Sequence, residues 1–298
     1  SFSDYLITRG PGVGEIYFIG PTHSGMGIYY STNFGETAIC MDSIIANEAI
    51  SIVADKTPGV LYYVTSQEKL FVSYNYGYQS SWQLINSGIY VDFMAGRNEG
   101  EIFNVIASHS IDYGFNFIPH AINGFFGSLK SSEIDNCNNL GYALVTHYSY
   151  PDSLYLLFTN DNFENLTTRK VFSFMNGETV FLRRGNLNGE VYLFNNSRNT
   201  LCYSSNYAND WSLVENFNFI NYYSLSTVAG RQNGEILFLF NYVNMAWQNA
   251  HTYILHSTDF GVTFEVFHPF SKGEEPLLAN FSATEKELPI TSSVDFSN

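Results

Sequence analysis

Cysteine, proline and positive charge are all scarce: the 298-residue chain holds 3 Cys, 8 Pro and 13 Lys plus Arg. Cys40, Cys137 and Cys202 are odd in number, show no C-x-x-C spacing and fall in different predicted repeats. Neither a zinc site nor a disulfide framework is indicated, and buried free thiols are expected. The 28 Asp plus Glu leave a net charge of −15, which argues against gripping a nucleic-acid backbone and is awkward for docking on an anionic membrane. No run approaches the roughly 18 apolar residues of a membrane span. H-E-x-x-H, G-x-S-x-G and P-loop motifs are missing, and the seven His are scattered without metal-ligand spacing, so no metal or cofactor is expected. No amphipathic helix stands out.

What is present is apolar and aromatic. Hydrophobic residues make up 45% and aromatic residues 17%, against 14% charged, so Asn, Ser, Thr and Tyr must wet the surface. That balance suits an extracellular β-protein, secreted or at a cell surface, and the chain is long enough for one sizeable core. Two markers recur in a fixed order. The first is Gly-Glu followed by a β-branched residue: Gly14-Glu15-Ile16, Gly100-Glu101-Ile102, Gly189-Glu190-Val191 and Gly234-Glu235-Ile236. Gly59-Val60-Leu61 and Asp152-Ser153-Leu154 read as degenerate copies. The second is a turn, Ser/Thr-x-Asp/Asn-x-Gly-x-x-aromatic. Its strongest copy runs through Ser257, Asp259, Gly261 and Phe264. Weaker copies carry Ser31, Asn33 and Gly35; Ser73, Asn75 and Gly77; Ser110, Asp112 and Gly114; and Ser204, Asn206 and Trp211. Thr159-Asn160-Asp161 is a poor copy, and Trp82 and Phe117 close the second and third. In such a turn the Asp or Asn accepts backbone N–H groups, the Gly takes a positive φ and the aromatic packs beneath.

The copies lie about 45 residues apart, the length of a four-stranded propeller blade. The predicted fold is all-β, a propeller of six four-stranded blades over 1–43, 44–88, 89–128, 129–175, 176–219 and 220–270. The third and fourth units are short of chain: Gly100 to Ser110 and Asp152 to Thr159 leave too little for two strands and a hairpin. Either those blades have lost a strand or their register differs; five blades plus an insertion is the alternative.

The turns resemble Asp-boxes, the repeats of bacterial sialidases, sortilin-type receptors and secreted BNR-repeat propellers. The resemblance covers residues 1–270. Within 271–298, Ala279-Asn280-Phe281-Ser282-Ala283 and the stretch from Pro289 to Asn298 are similar to the opening strands of a PKD domain. That implies a longer, secreted, multidomain bacterial parent; the other reading is a tail packed along the propeller.

In a propeller of this kind the turns between third and fourth strands share a face with the loops after the first strands. Arg9, Arg97, Arg184 and Arg231 each follow a first strand, and a repeated structural contact to a neighbouring turn's carbonyls or an acid is expected. The resemblance places ligand sites on the other face. Its longest loop, in the sixth blade, holds Tyr242, Trp247, Gln248 and His251, mixing rings that stack on sugars with amides that bond hydroxyls. His23, Glu68 and Arg198 lie on the same face, with Tyr90 and Asp135 on blade connections. A sialidase needs three converging Arg, a Tyr–Glu pair and an Asp, and its Arg-Ile-Pro segment is missing, since Gly10-Pro11 follows Arg9. The expected function is therefore a non-catalytic, monomeric recognition or scaffold module for carbohydrate or protein. The alternative is a glycoside hydrolase of sialidase-like or xyloglucanase-like type.

Overall fold

The computed structural model describes residues 7–22, 25–42, 49–88, 93–96, 98–104, 108–119, 127–134, 141–147, 150–160, 167–173, 178, 180–185, 187–195, 197–198, 200–215, 224–230, 232–243, 250–267 and 284–287. They form six antiparallel sheets, each a meander of four consecutive strands. The first blade comprises β1 (Ile7–Arg9), β2 (Ile16–Thr22), β3 (Gly25–Ser31) and β4 (Ile39–Asp42). The second has β5 (Ala49–Ala54), β6 (Leu61–Thr65), β7 (Lys69–Ser73) and β8 (Trp82–Ser87). The third has β9 (Phe93–Ala95), β10 (Ile102–Asn104), β11 (Ser108–Ser110) and β12 (Ile118–Pro119). The fourth has β13 (Gly127–Ile134), β14 (Gly141–His147), β15 (Tyr150–Thr159) and β16 (Thr167–Ser173). The fifth has β17 (Val180–Arg184), β18 (Val191–Asn195), β19 (Thr200–Ser204) and β20 (Ser212–Glu215). The sixth has β21 (Ser224–Ala229), β22 (Ile236–Val243), β23 (Ala250–Ser257) and β24 (Glu265–Phe267). A further strand, β25 (Thr284–Glu287), pairs antiparallel with β20 on the outer edge of the fifth sheet. The first strands of the blades line up side by side, β1 against β5 and β21, β5 against β9, and β17 against β13 and β21, so the sheets form a six-bladed β-propeller.

The two strained units resolve differently. The third blade keeps all four strands by shortening them to two or three residues. In the fourth, Asp152-Ser153-Leu154 is no second-strand marker, because it lies inside the third strand, β15. The second strand is β14, which starts at Gly141 without a following Glu. The cysteine expectation also needs correction at one position. Cys202 is buried, but Cys40 is exposed, because it sits on the outermost strand of its blade; Cys137 lies outside the described residues.

Hydrophobic residues gather between blades. Strands β6 and β18 are buried along their whole length, since both faces of a second strand meet a neighbouring sheet. One cluster joins Ile19, Ile28 and Tyr17 to Ile52 and Leu61, and another joins Tyr142 and Leu156 to Leu182 and Leu193. The ring closes through a third cluster, Ile7, Ile16 and Phe18 of the first blade against Leu237, Leu239 and Ile254 of the sixth. Fully burying such a side chain stabilises by roughly 1.5–3 kcal/mol.

The turns after the third strands share one geometry in five blades. The serine hydroxyl accepts the N–H of the residue two on and of the one four on, for example Asp259 at 3.3 Å and Gly261 at 2.8 Å from Ser257. Ser31, Ser73, Ser110 and Ser204 repeat this pattern. The Asn or Asp then accepts the N–H four residues on: Asn33 from Thr37, Asp112 from Asn116, Asn206 from Asp210 and Asp259 from Thr263. Glycine's positive φ is as expected at Gly35, Gly77, Gly114 and Gly261, and Ala208 adopts it too. Unexpectedly, the aromatic before it is also left-handed: Phe34, Tyr76, Tyr113, Tyr207 and Phe260 have φ of 55–62°. That twist aims the aromatic's N–H at the marker glycine of its own blade, giving Phe34 to Gly14, Tyr76 to Gly59, Tyr113 to Gly100, Tyr207 to Gly189 and Phe260 to Gly234, all 2.8–2.9 Å. The two sequence markers are thus bonded to each other.

The marker glutamate is the second stitch. Glu15, Glu101, Glu190 and Glu235 fold back over Gly10, Gly96, Gly185 and Gly230, where any Cβ would lie within 2.4 Å of the carboxylate group. Each caps a loop N–H, those of Gly12, Asn98, Leu187 and Gln232. In the second blade the pair is exchanged. Asp55 stands at the glycine position and Val60 at the glutamate position, as the bond from Asp55 N–H to Val60 O shows beside those from Gly10 to Glu15 and from Gly185 to Glu190. The carboxylate still reaches the same place: Asp55 accepts Thr57 N–H, Tyr62 O–H and Gly100 N–H, where Glu190 accepts Leu187 N–H, Tyr192 O–H and Gly234 N–H. Burial, followed by the adjacent carboxylate, pushes the phenols of Tyr17, Tyr62 and Tyr192 far above their ordinary range, so they remain donors.

That exchange predicts a double-mutant cycle. Glu190→Val leaves buried donors unpaired and should cost on the order of 2–4 kcal/mol. Gly185→Asp alone should clash with Glu190. Together they recreate the second blade's arrangement and should recover at least about 1 kcal/mol of the summed losses in urea unfolding; strict additivity would disprove the equivalence.

A pH effect follows from the turns. The Asn116 N–H, then Ser110 and the Asn116 amide, hold Asp112 below the usual carboxylate range. At Asp259 burial pushes upward, but donors from Thr263 and Ser257 outweigh it and the net shift is downward. A lowered folded pKa contributes stability that is present above the unfolded value of about 3.9 and lost as pH falls through the folded one. Asn, already used at Asn33 and Asn206, accepts the same N–H without titrating. The variant D112N/D259N should therefore lose less stability than the parent between roughly pH 5 and pH 3, read as the shift in urea midpoint; equal losses would show that these carboxylates do not hold their turns.

Candidate functional site

Antiparallel meanders bring loops of the same type to the same end of the ring. At the end carrying the loops between second and third strands, two expected site residues have described side chains. Glu68 is exposed and left-handed, with φ of 58°, and its carbonyl accepts the Gly88 N–H. The tight bend after β6 thus gives it a turn-forming role. Arg198 donates from Nε to Glu178 Oε1 at 2.5 Å, while Asn195 donates to Glu178 Oε2 at 2.8 Å. Glu178 precedes β17, so the pair ties a hairpin loop to the connection entering its own blade. Tyr242 and His251 are direct cross-strand partners where β22 and β23 extend past the sheet. Their side chains, and His23, Tyr90, Asp135, Trp247 and Gln248, lie outside the described residues.

At the opposite end the first strands of five blades frame an axial cavity of about 80 Å³, lined from β1, β5, β9, β17 and β21. Among the described residues, Arg9, Lys56, Arg183 and Arg184 stand on its wall with one carboxylate, Asp55. Arg183 is buried and donates to the carbonyls of Thr227 and Leu182. Arg184 reaches from the fifth blade to Ala95 O in the third, at 2.9 Å. The expected contact was to a neighbouring turn's carbonyls or an acid; this acceptor is a carbonyl, and it belongs to a first strand two blades away. Arg97 and Arg231 lie outside the described residues.

Sequence reasoning found these arginines but missed Lys56, Arg183 and Asp55, which follow or end first strands and carry no motif. The signal available was position alone, two charged residues at the inner end of β5 and one beside Arg184. Among the described residues no group of three or more His, Cys, Asp or Glu could hold a metal ion, and no helix is long and apolar enough to cross a membrane.

No protein-family model and no curated protein matches the chain. Among solved structures it is similar to a GH74 enzyme from Niastella koreensis, at 16% identity and a TM-score of 0.50 over 78% of this chain and 34% of that one. It is also similar to the GH74 xyloglucanase from Xanthomonas campestris, at 11% identity and a TM-score of 0.50 over 89% of this chain and 46% of that one. YCF48 from Cyanidioschyzon merolae aligns at 9% identity and a TM-score of 0.43, over 90% of this chain and 96% of that one. The chain thus spans less than half the length of the two GH74 proteins, and at these identities the likeness is one of fold.

Proposed function

We propose that the chain is a non-catalytic recognition or scaffold module of a larger secreted or surface-attached bacterial protein. It binds carbohydrate or protein at the end of the ring bearing the loops between second and third strands. The observation that carries this reading is the commitment of four carboxylates among the described residues. A glycosidase needs two carboxyl groups about 5–10 Å apart, free to move a proton or to attack. Glu178 holds Arg198 and Asn195, and Asp55, Glu190 and Glu235 hold backbone N–H groups together with Tyr62, Tyr192 and His256. These are structural tasks. Protonating or alkylating any of them would loosen the ring.

The five turns are read as degenerate Asp-boxes, and the stretch 271–298 as the start of a PKD-like domain in the parent protein. Recognition is assigned to Tyr242, Trp247, Gln248 and His251, with His23, Glu68, Arg198, Tyr90 and Asp135 around them. Ring faces and neutral amides suit sugars or a polar protein surface. The fold likeness to GH74 enzymes keeps a second reading alive, a glycoside hydrolase of sialidase-like or xyloglucanase-like type.

A glycan array and a panel of chromogenic glycosides separate the two. Retention of a glycan without turnover is expected, and hydrolysis of any glycoside would overturn the preferred reading. Trp247→Ala should weaken the retained ligand about tenfold, or roughly 1.4 kcal/mol, with an unchanged melting temperature. Unaltered affinity would remove Trp247 from the site.

A further inference from the structure

A regular sheet edge is an open template, because its unpaired N–H and C=O groups can take another strand. Five of the six outer strands are blunted against this. Strands β4, β8 and β16 each slip register against the third strand of their blade, at Ile28/Tyr29, Leu70/Phe71 and Leu156/Leu157. Such a bulge bends the edge and interrupts the ladder. Strand β12 is two residues long and ends in Pro119, which has no N–H to give. Strand β24 spans three residues.

The outer strand of the fifth blade differs. In β20, Ser212, Leu213 and Val214 pair with Tyr203, Cys202 and Leu201 without a shift. Both faces anchor it: Leu213 packs on the cluster shared with the fourth blade, and Val214 is fully buried in the cluster shared with the sixth. Among the described residues this edge alone carries a fifth strand. Strand β25 places Thr284 opposite Glu215, Glu285 opposite Val214, Lys286 opposite Leu213 and Glu287 opposite Ser212.

The segment seated there is a poor strand. Thr284-Glu285-Lys286-Glu287 brings no apolar residue opposite Leu213 or Val214, and Glu and Lys are depleted in strands. Its hold comes from main-chain bonds over four residues, set against the entropy of ordering them. The stretch 268–283 that joins it to β24 can span up to roughly 50 Å when extended, long enough for β25 to leave while the sixth blade stays closed.

From this pairing we infer that the outer edge of the fifth blade is a strand-acceptor site for an extended protein segment, with residues 284–287 as its displaceable resident. Main-chain bonds supply the affinity. Preference comes from β-branched residues opposite Leu213 and Val214, where the resident has Lys286 and Glu285. The site lies on the rim of the ring, apart from the recognition loops, so either assignment can fail alone.

The test compares the whole chain with its variant Glu285→Pro/Lys286→Pro. Alternate residues of an antiparallel strand donate to a given neighbour, so one of the two prolines removes a bond to β20. The probe is a labelled peptide of residues 281–288 carrying Glu285→Val and Lys286→Val; a control peptide carries proline at both places. In the variant the amides of 212–215 should exchange faster than in the parent. The valine peptide should restore their protection and bind the variant at least about tenfold more tightly than the parent, whose edge is filled. The proline peptide should do neither. Equal protection of 212–215 in parent and variant would overturn the site. So would equal binding of the two peptides, or no binding of the valine peptide at about 1 mM. A dimer of the parent that the prolines dissolve would give the edge to a second copy's strand and overturn the intramolecular resident. Should the double variant fail to fold, excess valine peptide added to the parent decides: it must speed amide exchange in 284–287, and unchanged exchange there would overturn the displacement.

Discussion

The bond from the turn aromatic's N–H to the marker glycine's carbonyl is the constraint on which the ring depends. It appears between Phe34 and Gly14, Tyr76 and Gly59, Tyr113 and Gly100, Tyr207 and Gly189, and Phe260 and Gly234. Both partners are left-handed: the marker glycines have φ of 67–82°, and opposite them stands in each case a residue with a large ring rather than a second glycine. Holding a non-glycine residue there costs roughly 1–2 kcal/mol. The offset is visible in what the ring then touches. Phe34 stacks on His256, Tyr76 packs on Tyr30 and Phe260 stacks on Tyr203, each across a blade boundary. The same conformation therefore closes a turn within one blade and supplies the contact that docks it on its neighbour.

The carboxylate stitch works across the same boundary. Asp55 of the second blade accepts Gly100 N–H of the third, and Glu190 of the fifth accepts Gly234 N–H of the sixth. Where the helping tyrosine is missing, another strand fills in. Leu237 stands where Tyr192 stands one blade earlier, and His256, its cross-strand partner, bonds Glu235 instead at 2.8 Å. Identity drifts from blade to blade, but the acceptor at that point does not. A buried amide without an acceptor costs about 1–3 kcal/mol, which explains why the place is kept while the residue supplying it changes.

The repeats were legible because both markers are short, local and need special backbone. Gly-Glu before a β-branched residue and Ser-x-Asn-x-Gly could be recognised in most blades, and from their spacing the six-bladed ring followed. Three things were hidden. The serine hydroxyls' grip on two N–H groups looks in sequence like an ordinary polar turn residue. The exchange of Asp55 and Val60 moves the acid to another strand, so the second marker reads as degenerate. In the fourth blade Asp152-Ser153-Leu154 imitates a marker inside a long third strand, and length alone could not set the register. The axial cations were legible only in part, because Lys56 and Arg183 meet Arg9 and Arg184 through ring closure and share no local pattern with them.

These stitches also divide the labour between the two ends of the ring. At the end with the third-to-fourth-strand turns, each described loop after a first strand is bonded to a carboxylate, and where the fold repeats, to the turn of its own blade. Loop length is nearly fixed there: Gly10 to Glu15, Asp55 to Val60, Gly96 to Glu101, Gly185 to Glu190 and Gly230 to Glu235 close with the same bond over the same span. The other end has no such repeated bond among the described residues: β22 and β23 run on past the sheet to Val243 and Ala250, while β6 and β7 meet in a tight bend at Glu68. Variation in loop length without damage to the ring is the property a recognition surface requires. A fold stitched at one end and released at the other can change the loops of the released end without disturbing the ring, which is the structural reason for proposing recognition there.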